Sequence, residues 1–165
     1  MSRERVYLVN EEDVVIGEKW RDELIDDDCW RLIGVWVTDQ DGNILLQQRS
    51  MKKKVGPGLW STACEGTVEM NDSYENTAIR ELEEEIGVSN VKLVPFSKAH
   101  FKSVFGWRIN RTYLCKIDRK TPITIQESEV EQVKWFTPDE LRAEMAKNPS
   151  SFVVPHMWKR LYNFS

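Results

Sequence analysis

The chain has 165 residues, of which 41% are apolar and 10% aromatic, enough for one domain with a real core and inconsistent with disorder. Its 23 basic and 27 acidic residues give a net charge of -4 spread along the chain, which excludes a dedicated polyanion binder with a basic stripe. Residues 1–13 are too charged for a signal peptide, and the longest apolar stretch, residues 32–37, is far short of a membrane span.

Taken in chain order, residues 6–9 and 14–16 read as two strands of a small hairpin joined by an acidic turn over 10–13. Residues 18–27 have the composition of a short helix. A strong strand is predicted over 32–38, then a turn, Asp39-Gln40-Asp41-Gly42, and a strand over 43–48. Residues 52–58 form a basic loop with glycine and proline, and 59–64 alternate as another strand. The clearest helix covers 73–86, with Asp72 as its N-cap, Glu75 three residues on, and Gly87 as its stop. Strands follow over 91–95, 112–117 and 132–135. Thr137, Pro138 and Glu140 then open a second helix, and residues 152–164 read as a third. No linker or repeat divides the chain, so residues 1–165 read as a single domain. The elements alternate without a regular βαβ rhythm, which predicts a fold of the α/β class with a mixed sheet and helices packed on it. Cys29, Cys64 and Cys115 are odd in number and far apart, and read as reduced thiols of a cytoplasmic protein.

The chemistry concentrates in residues 66–88. On a helix over 73–86, Glu81, Glu84 and Glu85 share one face, while Ile79, Leu82 and Ile86 form a separate stripe that can bury against the sheet. Carboxylates at i, i+3 and i+4 repel one another, and a hard divalent cation removes that penalty. Oxygen-only ligands point to magnesium or manganese and not to zinc. Without the rest of the stretch, the same glutamates would read as a solvated acidic face.

Gly66, Arg80, Glu81, Leu82, Glu84, Glu85, Gly87 and Val88 stand in the register of a known signature, and only Asp72 departs from it, where glutamate is usual. In this the sequence resembles the Nudix hydrolases. Pro57-Gly58-Leu59-Trp60 before the box and Trp135-Phe136 after it also fit. The resemblance implies an α/β/α sandwich and Mg2+-dependent hydrolysis of a nucleoside diphosphate linked to another moiety, with Mn2+ as a substitute. It implies Glu81, Glu84, Glu85 and the Gly66 carbonyl as metal ligands, Glu84 or Glu85 as general base, and Arg80 as the residue that orients the glutamates. A further carboxylate is expected from outside the box, with Glu127 and Glu129 as candidates. Arg49 and Lys54, in a basic stretch, are placed against substrate phosphates. Of the seven tryptophans, Trp30 and Trp107 lie at strand ends in polar surroundings and are candidate stacking platforms for a base. The expected partner is a small-molecule diphosphate, with no membrane and no dedicated nucleic-acid surface, acting as a monomer or homodimer.

The flanks also resemble the branch that includes isopentenyl diphosphate isomerase, so a prenyl-diphosphate enzyme is the first alternative. On that pattern the catalytic cysteine position falls on Glu65, one residue after Cys64, and the metal histidines fall on Trp30 and Thr67. A one-residue slip in a strand turns a side chain to the opposite face. The second alternative is a catalytically silent module that binds a nucleotide or a protein; such modules lose Glu84 or Glu85, and this chain keeps both.

Overall fold

A computed structural model describes residues 3–103 and 106–153. The hairpin is present as β1 (Arg5–Val9) and β2 (Val15–Trp20), its turn tied by the Asn10 side chain, which accepts from the backbone N–H of Glu12 and Val14. The helix expected over 18–27 is not formed. Glu18, Lys19 and Trp20 instead extend β2 against Tyr7, Val6 and Arg5, and only a 3₁₀ turn, Arg21–Glu23, follows. Ladder pairing to β1 overrides the local helical preference of this polar stretch.

The organising strand is β3 (Cys29–Thr38). Along one edge it runs parallel to β8 (Gly106–Lys116), in register from Cys29–Trp107 to Thr38–Lys116. Its other edge is shared in succession by β1, by β6 (Cys64–Thr67) and by the start of β4 (Ile44–Arg49), all antiparallel. β4 pairs in turn with β5 (Trp60–Ser61) and with β9 (Val130–Phe136), and β7 (Leu93–Ser103) forms a long hairpin with β8. The single strand expected over 59–64 is thus two, because the chain leaves β4 at Ser61 and joins β3 at Cys64. The strands expected over 91–95 and 112–117 are the distal parts of this long hairpin. The lysines and arginines along its middle had masked their alternation.

Alternation along β3 and β4 divides the core between the two faces of the sheet. Ile33, Val35, Val37 and Leu45 meet Ala78, Leu82 and Ile86 of α1 (Tyr74–Ile86) on one side. On the other, Trp36 and Leu46 meet Phe136, Phe152 and Leu141 of α2 (Pro138–Lys147). The sheet is therefore mixed and lies between two helices. The α1 stripe differs from expectation at one residue: Ile79 is 41% exposed, and Ala78 takes its place in the core.

The ends of α1 follow local rules with one correction. Ser73, not Asp72, is the N-cap, and its hydroxyl accepts from the Asn76 N–H at 3.1 Å. At the other end Gly87 adopts φ 70°, which a side chain resists, and its N–H closes the helix on the Glu83 carbonyl. Thr137 and Glu140 form the predicted reciprocal capping box of α2. Of the helix expected over 152–164, residues 154–164 lie outside the described residues, and Phe152 makes a β-bridge to Trp60. Among the described residues no helix is long and apolar enough to cross a membrane.

Candidate active site

The sheet topology and α1 together open a cleft of about 270 Å³ beside β6. Its floor is built by a close approach. A Cβ placed on Gly66 would lie 2.4 Å from Cγ and 2.6 Å from Cδ of Glu81, so only glycine lets the helix lay that carboxylate across the strand. Arg80 then holds the face together, with its Nη1 3.0 Å from Oε1 of Glu81 and 3.2 Å from Oε2 of Glu84, and its Nη2 3.9 Å from Glu69.

Burial pushes the Glu81 carboxyl up to about 7; Arg80 opposes the rise and the neighbouring charge of Glu84 adds to it. Glu85 is only 6% exposed, and burial pushes it to about 8, with Glu81 adding to the rise. Two donors work against that shift: Nε2 of Gln47 at 3.0 Å and the Glu65 N–H at 3.3 Å, both on Oε2. Burial also raises Glu65, opposed by Ser61 and by Arg49, whose Nη1 is 3.7 Å away. One buried and one half-buried acid beside a third carboxylate form an oxygen-only donor set whose mutual repulsion a divalent cation would relieve, so these residues fit the metal that their spacing implies. As the side chains stand, no three acidic, histidine or cysteine groups among the described residues already converge as ligands.

The other predicted site residues divide. Arg49 lines the cleft and also donates to the Val55 carbonyl at 3.0 Å. Lys54 is exposed outside it; Lys53 faces the cleft and is ion-paired with Glu129, which also lines it. Glu127 is exposed, does not line the cleft, and receives the Ser50 hydroxyl on its backbone carbonyl. The loop before β9 is held beside the site because the N–H groups of Thr124 and Gln126 cap the carbonyls of Ile86 and Glu85. Trp30 lines the cleft, but the Arg108 guanidinium covers its ring, 3.1 Å from the centroid. Trp107 is not in the cleft. It alternates with Arg108 along β8 and stacks on His100 instead, with ring centroids 4.8 Å apart.

Gln47, Glu65, Arg108 and Arg21 were not singled out as site residues from sequence. Gln47 did carry a signal: it shares the buried phase of β4 with Leu45, and a polar residue there needs a partner. Cys64 is fully buried in the core beneath α1, and burial holds its thiol well above the usual range. Glu65, one residue on, faces the cleft.

Asp72 is a scaffold residue. Its Oδ1 accepts from the Ser73 N–H at 2.8 Å, and its Oδ2 accepts from the hydroxyl of fully buried Thr77 at 2.9 Å. Asp72→Ala is expected to cost about 1–3 kcal/mol, the penalty of stranding a buried hydroxyl, with turnover retained. Urea unfolding beside a rate assay checks both halves, and lost turnover in the folded variant would return Asp72 to the site.

A family model described as NUDIX domain matches residues 30–155. The chain belongs to the Nudix family. It is 30% identical over 164 residues to the protein described as "Uncharacterized Nudix hydrolase YfcD" of Escherichia coli, covering 96% of this chain and 88% of that one. It is also 30% identical over 139 residues to an isopentenyl-diphosphate Delta-isomerase of Roseobacter denitrificans, covering 80% and 76% respectively. Among solved structures, DR0079 of Deinococcus radiodurans superposes with a TM-score of 0.75 at 24% identity, over 87% of this chain and 90% of that one, which shows a shared fold. The Nudix chain is thus an enzyme-family member whose relatives carry both hydrolase and isomerase names.

Proposed function

We propose that this Nudix protein hydrolyses a phosphoric anhydride bond in a nucleoside diphosphate linked to another moiety, with Mg2+ as cofactor. The observation that carries the reading is Arg80 paired with Glu81 and Glu84, with Glu81 half-buried against Gly66 and Glu85 buried against Gln47. Glu81, Glu84, Glu85 and the Gly66 carbonyl would hold the metal. When bound, it supplies charge neutralisation at the phosphate oxygens and a more acidic attacking water. Arg80 keeps the carboxylates aligned when their charges are unmasked. Glu84, half exposed, and Glu85, beneath it, both reach the cleft and are the two candidates for accepting the water's proton; glutamine at each position tells which. Arg49 and Lys53 line the same cleft and bring positive charge for the phosphates. A panel of diphosphate compounds, scored for products with and without Mg2+, tests the reaction. Mn2+ is expected to replace Mg2+, and Zn2+ to support little turnover.

The isomerase alternative needs a thiol at the reacting carbons, and Cys64 is fully buried in the core and does not line the cleft. Cys64→Ala is therefore expected to leave hydrolysis nearly unchanged, at a stability cost of about 1–2 kcal/mol for the small cavity. Loss of most activity in a folded variant would revive the isomerase alternative.

A further inference from the structure

The tryptophan expected to stack on a base is covered by an arginine, and that arginine changes what this part of the cleft recognises. Trp30 lies four residues along β3 from Gly34, the register partner of Glu65, a separation of roughly 13 Å at the rise of a strand. There it pairs with Arg108 across the parallel β3–β8 ladder, and the Arg108 guanidinium carbon lies over the indole ring. Arg108 is 3% exposed, its Nη1 donates to the Trp107 carbonyl at 2.7 Å, and both Arg108 and Trp30 line the cleft. Arg21, exposed and paired with Glu4, lines the same region.

We propose that the region of the cleft walled by Trp30, Arg108 and Arg21 is a second anion site, selecting diphosphates whose departing moiety carries its own phosphate or carboxylate. The proposal rests on the hydrolase reading above and names the substrate class for it. Three observations support it. The indole contact and the Nη1 bond to the Trp107 carbonyl hold the Arg108 guanidinium in the cleft lining, and a held guanidinium is the group whose donor geometry suits phosphate and carboxylate oxygens. Burial pulls that guanidinium down to about 9, and the charge of Arg21 pulls it the same way, so an incoming anion stabilises a cation that its surroundings disfavour. Arg21 also acts on Glu81, which places a second cation within electrostatic reach of both the carboxylates and Arg108.

Two matched pairs of compounds serve as probes. NADH and NADPH differ by one phosphate monoester, and UDP-glucose and UDP-glucuronate differ by one carboxylate. For the intact protein and for Arg108→Gln, Arg108→Lys and Arg21→Gln, kcat/KM is measured with Mg2+ and affinity is measured by calorimetry without it. The charged member of at least one pair is expected to be favoured by about tenfold to a hundredfold, and the responding pair identifies phosphate or carboxylate. Arg108→Gln is expected to bring that ratio close to one through KM, and Arg108→Lys to retain part of it. If Arg108→Gln does not fold, exposed Arg21→Gln decides, because it must narrow the ratio. Equal affinity for both members of each pair, or a ratio that survives Arg108→Gln in a folded protein, overturns the second site. Turnover with ratios of one overturns the site and leaves the hydrolase reading intact. Charge-dependent affinity that requires Arg108, without turnover of any probe or of any compound in the diphosphate panel, overturns the hydrolase reading and leaves the site.

Discussion

Glu85→Gln is expected to lower turnover by at least two orders of magnitude and, in metal-free protein at alkaline pH, to raise stability. The first effect follows from removing a ligand or base whose place the amide cannot take. The second follows from burial. The folded-state carboxyl stands at about 8 against an ordinary value of 4.5, so the native state holds this proton more tightly than the unfolded chain. A group raised in this way contributes stability fully below its ordinary value and loses that contribution as pH rises through the folded one. The intact protein, stripped of metal with EDTA, is therefore expected to fall away from the variant between about pH 4.5 and 8, by a few kcal/mol at the top of that window. Below it the two should coincide, since glutamine keeps an oxygen for Gln47 and for the Glu65 N–H. Saturating Mg2+ should reverse the order by stabilising only the protein that retains the carboxylate. Melting curves across pH with EDTA and with Mg2+ check the whole pattern. A variant that melts in parallel with the intact protein under both conditions would remove Glu85 from the metal site.

Gly66→Ala is the second large effect. The added methyl would lie where Cγ and Cδ of Glu81 now lie, at 2.4 and 2.6 Å. These atoms are the outer half of the side chain, carboxylate carbon included, so the clash clears only when Glu81 rotates and carries its carboxylate away from β6. A displacement of about 1 Å in a positioned group costs on the order of a hundredfold in rate, so kcat is expected to fall by that much or more. Stability should fall less, because Leu82 and Ile86 hold α1 in the core while the Glu81 side chain moves. Steady-state kinetics beside thermal melting separate the two losses, and full activity would show that Glu81 reaches its place without the glycine.

What could be read in advance follows from how far apart the interacting residues lie in the chain. The Glu81, Glu84 and Glu85 face, the Gly87 stop and the Thr137–Glu140 box are set by spacings within one or two helical turns, and sequence displays such spacings directly. The partnership of Gly66 with Glu81 came through the family signature, although its steric reason is visible only when strand and helix are superposed. Residues 18–20 misled because their helical composition is overruled by β1, a partner that composition does not reveal. Trp107 misled for a similar reason: its place at a strand end was legible, but which face it takes depends on the β7–β8 register, and that register sends Arg108 to the cleft instead. Lys53 and not Lys54 facing Glu129 is likewise a matter of loop conformation within a run of identical residues.

The parallel ladder between β3 and β8 also bears on the order in which the protein becomes functional during folding. Strands β3 and β6, with α1, come from one contiguous stretch, so the carboxylate face and its glycine floor can assemble from neighbouring parts of the chain. The Trp30–Arg108 contact closes a much longer loop, and non-local parallel pairing is slow because the entropy of closure must be met before contacts accumulate. From loop closure, the carboxylate face is expected to assemble before the Trp30–Arg108 wall.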